Sequence, residues 1–179
     1  RAEDSSSGSN ENEKEMNPSY VTPMQKSLIL NNKQIQQKIN RIAYEIYENN
    51  FEEKELLLIG ISGSGFVFAK KIADALKLIS PLKIKLVELK INKDSPLENK
   101  IGIPLTGKEI SGRVVILVDD VATTGKAFLE SIDVLSQMDI KVLKAICVVD
   151  RAEGAKEALL LKGCSLVAIF QASEIHHAS

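Results

Sequence analysis

Apolar residues recur at steps of three and four across residues 31–50, where Ile35, Ile39, Ile42, Ala43, Ile46 and Tyr47 fall on one side of a helix. The period then changes. Glu55–Ile61 (ELLLIGI) is a short unbroken apolar run, the pattern of a strand covered on both faces. Gly60–Gly65 reads as a turn, Phe66–Leu78 as a helix, and Lys83–Ile91 alternates as a strand should. Asn92–Gly112 contains Pro96, Pro104, Gly102, Gly107 and Gly112 with no sustained period, which predicts a long loop with room for a short hairpin. Val114–Val118 (VVILV) is a second fully buried strand. Thr124–Met138 follows as a helix, Val142–Val149 as a strand, Gly154–Leu161 as a short helix and Leu166–Phe170 as a last strand. Strands separated by helices of this length imply βαβ crossovers. The expected fold is therefore α/β, with a mainly parallel central sheet flanked by helices.

The first 19 residues (RAEDSSSGSNENEKEMNPS) break this pattern. They are polar and nearly free of large apolar side chains, so they cannot offset their own ordering entropy and are expected to be disordered. Part of the stretch reads as an added remnant, with the biological start near Met16. One domain is expected over residues 20–175, followed by a peripheral tail at 176–179. That tail holds the two histidines, His176 and His177; no cluster of cysteine, histidine or carboxylate residues stands near them at ligand spacing, and a frayed terminus is the expected reading.

Composition changes the picture only by exclusion. At 179 residues, 44% hydrophobic and 26% charged, the chain has the make-up of one globular domain with a real core. A formal net charge of -1 supplies no global basic field for nucleic acid or an anionic membrane, although some of the 23 Lys+Arg residues have room to cluster locally. Cys147 and Cys164 have no CxxC partner and read as reduced thiols, Cys147 in the core; a disulfide and a catalytic thiol are the alternatives. No apolar run reaches the roughly 20 residues of a membrane span, and no signal peptide is visible, so the cytoplasm is the expected compartment.

Candidate chemistry is concentrated in Val114–Phe128 (VVILVDDVATTGKAF), where a β-branched strand runs into two adjacent acids, a small hydroxyl-rich loop and a helix. In an open α/β sheet, ligands lie beyond the carboxyl ends of the strands, where this segment delivers its polar residues. The loop Ala122–Ala127 would turn backbone N–H groups towards a ligand at a helix N-terminus, which favours a phosphate dianion. Thr123 and Thr124 add hydroxyl donors, and Gly125 permits close backbone approach. Asp119 and Asp120 suit acceptance of hydrogen bonds from vicinal ribose hydroxyls, helped by a hydrated Mg²⁺ held indirectly through ligand and water. A phosphorylated ribose fits that combination. The spacing is neither GxxxxGK[ST] nor GxGxxG. The bland alternative is a solvated acid pair at a strand end with a threonine N-cap on the next helix.

Val115–Ala127 (VILVDDVATTGKA) resembles the 13-residue phosphoribosyl pyrophosphate (PRPP) signature of the type I phosphoribosyltransferases. SLILNNKQIQQKINRIAYEIYENN and LLLIGISGSGFVFAKKIADAL resemble the opening of the bifunctional pyrimidine operon regulator/uracil phosphoribosyltransferase family. Asp150–Gly154 (DRAEG) with AKEALLLKGCSLVAIF is closer to the tail of orotate phosphoribosyltransferases.

The resemblance implies a type I phosphoribosyltransferase fold with a flexible loop over the C-terminal strand ends. It implies transfer of the phosphoribosyl group from PRPP to a nucleobase with release of pyrophosphate, dependence on Mg²⁺, and a homodimer or higher homo-oligomer. It places the ribose 5-phosphate on Asp119, Asp120, Val121, Ala122, Thr123, Thr124, Gly125 and Lys126. Ser62, Gly63, Ser64 and Gly65 become the pyrophosphate loop, and Val121 and Arg151 border the base. Such a reaction needs a clamped leaving group, a positioned metal and exclusion of water more than acid–base side chains. Residues 92–112 form the expected lid, with Lys93 and Lys90 first, and Lys100 and Lys108 after them, as candidates to bring charge to the pyrophosphate. Purine-specific relatives usually carry an acid where Thr123 stands, which points to a pyrimidine base, uracil or orotate. The alternatives are a PRPP-sensing regulator that binds RNA with little catalysis, and a purine enzyme.

Overall fold

In the computed structural model of the protein, the described residues are 23–61, 63–91 and 114–176. Their order is α1 (Pro23–Asn49), β1 (Glu55–Ile61), α2 (Ser64–Ile79), β2 (Lys83–Leu89), β3 (Val114–Ala122), α3 (Lys126–Gln137), β4 (Val142–Asp150), α4 (Ala155–Leu161), β5 (Ser165–Gln171) and a short α5 (Ala172–His176). The strands form one sheet in the order β2-β1-β3-β4-β5, with every pairing parallel.

Alternation along the strands sorts the core into two layers. Leu56 and Leu58 of β1, with Ile116 and Val118 of β3, face α1 and α2, packing on Ile39, Ala43, Ile46, Phe68, Ile72 and Leu76. Leu57 and Ile59, with Val115 and Leu117, point the other way onto Phe128, Ile132 and Leu135 of α3 and Leu159 of α4. Helices on both faces explain why the β1 and β3 sequences are continuously apolar. After β1 the chain places β2 on one side and β3 on the other. The carboxyl ends of β1 and β3 thus flank the switch point of a doubly wound sheet.

Element boundaries differ from the sequence expectation in informative ways. The third strand continues past Val118 through both acids to Ala122, because β4 stays in register beside it: Asp119 pairs with Cys147, Val121 with Val149 and Ala122 with Asp150. Its helix starts at Lys126 rather than Thr124, since Gly125 is left-handed at φ 84 and takes the N-cap position. The first helix reaches back from residue 31 to Pro23, a residue suited to an opening turn. The second starts at Ser64, so Ser64 and Gly65 belong to its first turn and Gly60 to β1. β2 ends at Leu89, two residues early. The expected lid at 92–112 and the terminal segment 1–19 lie outside the described residues, as do Ser62, Lys93, Lys100, Lys108 and His177. Among the described residues, no helix is long and apolar enough to cross a membrane.

Candidate active site

A cleft of about 420 Å³ opens at the carboxyl end of β3, lined by Ile91, Asp119–Thr123, Gly125–Phe128 and Glu130. Asp119 is buried at the end of the core strand, and its Oδ1 accepts the Asp120 N–H at 2.8 Å. Asp120 repeats the arrangement, its Oδ1 accepting the Val121 N–H at 2.8 Å. Each carboxylate is therefore oriented by the backbone of the next residue.

Beyond the acids the chain turns through Thr123 and Thr124 into α3. The first bond recorded at the start of this helix runs from Leu129 N–H to Gly125 O at 2.9 Å. The amides of Lys126, Ala127 and Phe128 precede it, and no side chain caps the helix. These residues line the cleft, so the positive end of a twelve-residue helix abuts the two acids. Gly125 is confined on its other side, where an added Cβ would come within 3.1 Å of Ala155 Cα in α4.

The first turn of α2 backs the acids from the opposite face. A Cβ on Gly65 would lie 3.0 Å from Val118 O, 3.1 Å from Asp119 Cα and 3.1 Å from Asp119 Oδ1. Gly63, at φ 67 and ψ -111, makes the turn into α2 and donates its N–H to Glu88 Oε1 at 3.3 Å. The Gly63–Gly65 segment and the acid pair, distant in sequence, thus share one end of the sheet.

The other expected residues are not all brought together. Thr124 is exposed and does not line the cleft. Lys90 is exposed beyond β2 and also stands outside the lining. Arg151 touches the signature through its backbone, donating its N–H to Ala122 O at 2.9 Å, while its side chain is exposed and pairs with Glu153 at 3.6 Å. Ile91, Phe128 and Glu130 line the cleft without having been singled out as site residues, and Ala127 lines it as the last residue of the expected loop. The signal for Glu130 was its position four residues after Lys126, which sets the two side chains 3.9 Å apart on one helix face. Ile91 carried no local signal.

Both cysteines are buried and free, which removes the disulfide alternative. Burial, reinforced by the Asp150 and Asp119 carboxylates, pushes the Cys147 thiol from 9.0 up to about 12. Burial alone pushes Cys164 up to about 11. Protonated, enclosed thiols are poor nucleophiles. In native protein at pH 8, neither should react with a disulfide reagent, whereas both should after denaturation; native labelling within minutes would contradict this burial. The raised values also set a pH dependence. Below pH 9.0 the thiols are protonated in the folded and unfolded chains alike, and above it the unfolded chain releases protons first. Stability should accordingly fall as pH rises from 9.0 towards 12.

A parallel sheet with helices on both faces, and with a helix N-terminus and paired acids at its switch point, is the architecture of a doubly wound α/β domain. The profile described as phosphoribosyl transferase domain matches residues 25–172, and the chain belongs to that family. It is 35% identical over 119 residues to an orotate phosphoribosyltransferase of Methanopyrus kandleri, covering 66% of this chain and 64% of the relative. It is 32% identical over 116 residues to the bifunctional protein PyrR of Brevibacillus brevis, covering 62% of this chain and 65% of that relative. These matches thus span just under two thirds of either relative's length. The crystal structure of orotate phosphoribosyltransferase from Aeropyrum pernix superposes with a TM-score of 0.58 at 26% identity, covering 83% of this chain and 77% of that one. The expected α/β fold and type I phosphoribosyltransferase kinship are thereby established.

Proposed function

We propose that this protein transfers the 5-phosphoribosyl group from PRPP to a pyrimidine base, uracil or orotate, and releases pyrophosphate. The observation that carries the reading is the convergence on one cleft of Asp119, Asp120, Thr123 and the uncapped amides that open α3. The amides of Lys126, Ala127 and Phe128 would take the 5-phosphate, with the helix dipole behind them and the Thr123 hydroxyl beside them. Asp119 and Asp120 would accept from the ribose hydroxyls and favour the positive charge that grows on the sugar as its bond to pyrophosphate breaks. The base nitrogen forms the new bond to the anomeric carbon, pyrophosphate departs with the electron pair, and the base proton passes to solvent. The first turn of α2, through Gly63–Gly65, is assigned to the departing group.

Magnesium suits this donor set. Asp119 and Asp120 offer adjacent hard oxygen ligands, which fits an ion carried by the substrate's own oxygens and by waters bonded to the two carboxylates. Bound there, Mg²⁺ would supply charge neutralisation of the leaving group. Arg151 remains a candidate for the base through its position against Ala122, and a homodimer or higher homo-oligomer accompanies the same reading.

Likeness to orotate phosphoribosyltransferase and to the pyrimidine regulators supports the choice of a pyrimidine. Likeness to the regulators also supports RNA binding as a second reading, although the net charge of -1 disfavours it. A pyrophosphate-release assay with PRPP, Mg²⁺ and uracil, orotate, hypoxanthine, guanine, xanthine or adenine tests the assignment. Turnover is expected with uracil or orotate and not with the purines. Turnover with a purine alone would transfer the assignment to that base, and failure with all six would overturn catalysis. RNA affinity that falls steeply with salt would then favour the regulator.

A further inference from the structure

Strands β1 and β2 pair in parallel with Gly60 opposite Glu88. Leu56 and Leu58 of β1, with Ile84 and Leu86 of β2, face α1 and α2, so alternation directs Gly60 and Glu88 to that same face. At Gly60 the space of a side chain is filled by the backbone of α2, with Phe66 Cα only 2.4 Å from an added Cβ. Glu88 consequently has no side chain opposite it on β1 and reaches the start of α2, where its Oε1 accepts the Gly63 N–H at 3.3 Å. That amide belongs to the N-cap residue of a sixteen-residue helix that no side chain caps. A carboxylate oxygen on an amide at a helix N-terminus stands where an anionic ligand's oxygen would bind. The bond is also long for N–H···O, so an incoming anion can exchange with it.

We propose that Glu88 is an internal stand-in for the leaving group, a positioning residue that holds the Gly63 amide in the empty protein and repels pyrophosphate from the same amide. This rests on the assignment of Gly63–Gly65 to pyrophosphate. Its consequence is faster product release: once the bond to ribose is broken, the carboxylate competes for the amide that retained the leaving group. The Gly63 amide is thereby kept oriented between turnovers while the affinity for free pyrophosphate is held down.

Calorimetric titration of inorganic pyrophosphate into the wild type, Glu88→Gln and Glu88→Ala tests this. Glutamine retains an acceptor for Gly63 but removes the charge, so Glu88→Gln should bind pyrophosphate about fivefold more tightly at low salt. That advantage should shrink as ionic strength rises from about 50 to about 500 mM, because the repulsion lost is electrostatic. A merely structural role for Glu88 would not produce a salt-dependent gain. Ribose 5-phosphate affinity, assigned to the start of α3, should stay unchanged and serves as the control for folding. Equal or weaker pyrophosphate binding by Glu88→Gln, against measurable binding by the wild type, would overturn the stand-in role alone. Absence of pyrophosphate binding by all three proteins would instead overturn the assignment of the loop.

Discussion

Asp119→Asn and Asp120→Asn should each lower phosphoribosyl transfer by about 100-fold while the fold survives. In both residues Oδ1 accepts the N–H of the following residue, a bond that the asparagine oxygen can keep. The substitution removes charge with little change of shape. Asp119 is 5% exposed, and the Cys147 thiol whose pKa its carboxylate raises is protonated at neutral pH, so neutralising the acid changes no charge–charge interaction with that thiol. Thermal unfolding should therefore stay near that of the wild type while steady-state turnover collapses. The loss is expected in kcat more than in KM for PRPP, because in the proposed mechanism the acids would stabilise charge that exists only as the glycosidic bond breaks. Turnover within threefold of wild type in the double variant, a margin far inside the effects usual for such groups, would remove the acids from the reaction.

Among the described glycines, Gly60→Ala should be the most damaging added methyl group. Its Cβ would lie 2.4 Å from Phe66 Cα, 2.8 Å from Phe66 N and 2.9 Å from Gly65 O. All three are backbone atoms, so no rotamer change relieves the clash and the opening turn of α2 must move. A cost of about 3 kcal/mol is expected from such overpacking. For a chain of this size that lowers the melting temperature by roughly 6–12 °C. Gly65 rests against Val118 and Asp119, so the displacement also reaches the acid pair and activity should fall with stability. Gly154→Ala is the control: its Cβ would meet nothing within 4 Å, leaving only the strain of φ 104, about 1–2 kcal/mol. If the Gly60 variant unfolded no earlier than the Gly154 variant, the tight approach of α2 to β1 would be wrong.

How legible the site was depended on how local its determinants are. The acid pair and the small residues after it occupy one stretch of chain, and their order alone pointed to a sugar-phosphate site. Asp119–Thr123, Gly125 and Lys126 do line the cleft. Glu130 was legible in principle, since the expected helix Thr124–Met138 already set it one turn from Lys126. Arg151 was expected to border the base; its backbone N–H meets Ala122 O, while its side chain is exposed and paired with Glu153. Rotamer and ion-pair partner are not encoded in position along the chain. Ile91 and Glu88 acquire their relation to the site from β2, whose place beside β1 no local pattern specifies.

By itself the sequence determined the types of the elements from the first helix to the last strand, the two-sided burial of β1 and β3 and the run of paired acids and small hydroxyl residues at and after the end of β3, because each depends on period, side-chain volume or adjacency within a few residues. Only the tertiary structure decided the sheet order, the extension of β3 to Ala122, the wedge of Gly65 against Asp119 and the bond from Gly63 to Glu88. These depend on which strand lies beside which and how closely two backbones approach, and such distances are settled by packing the whole domain at once.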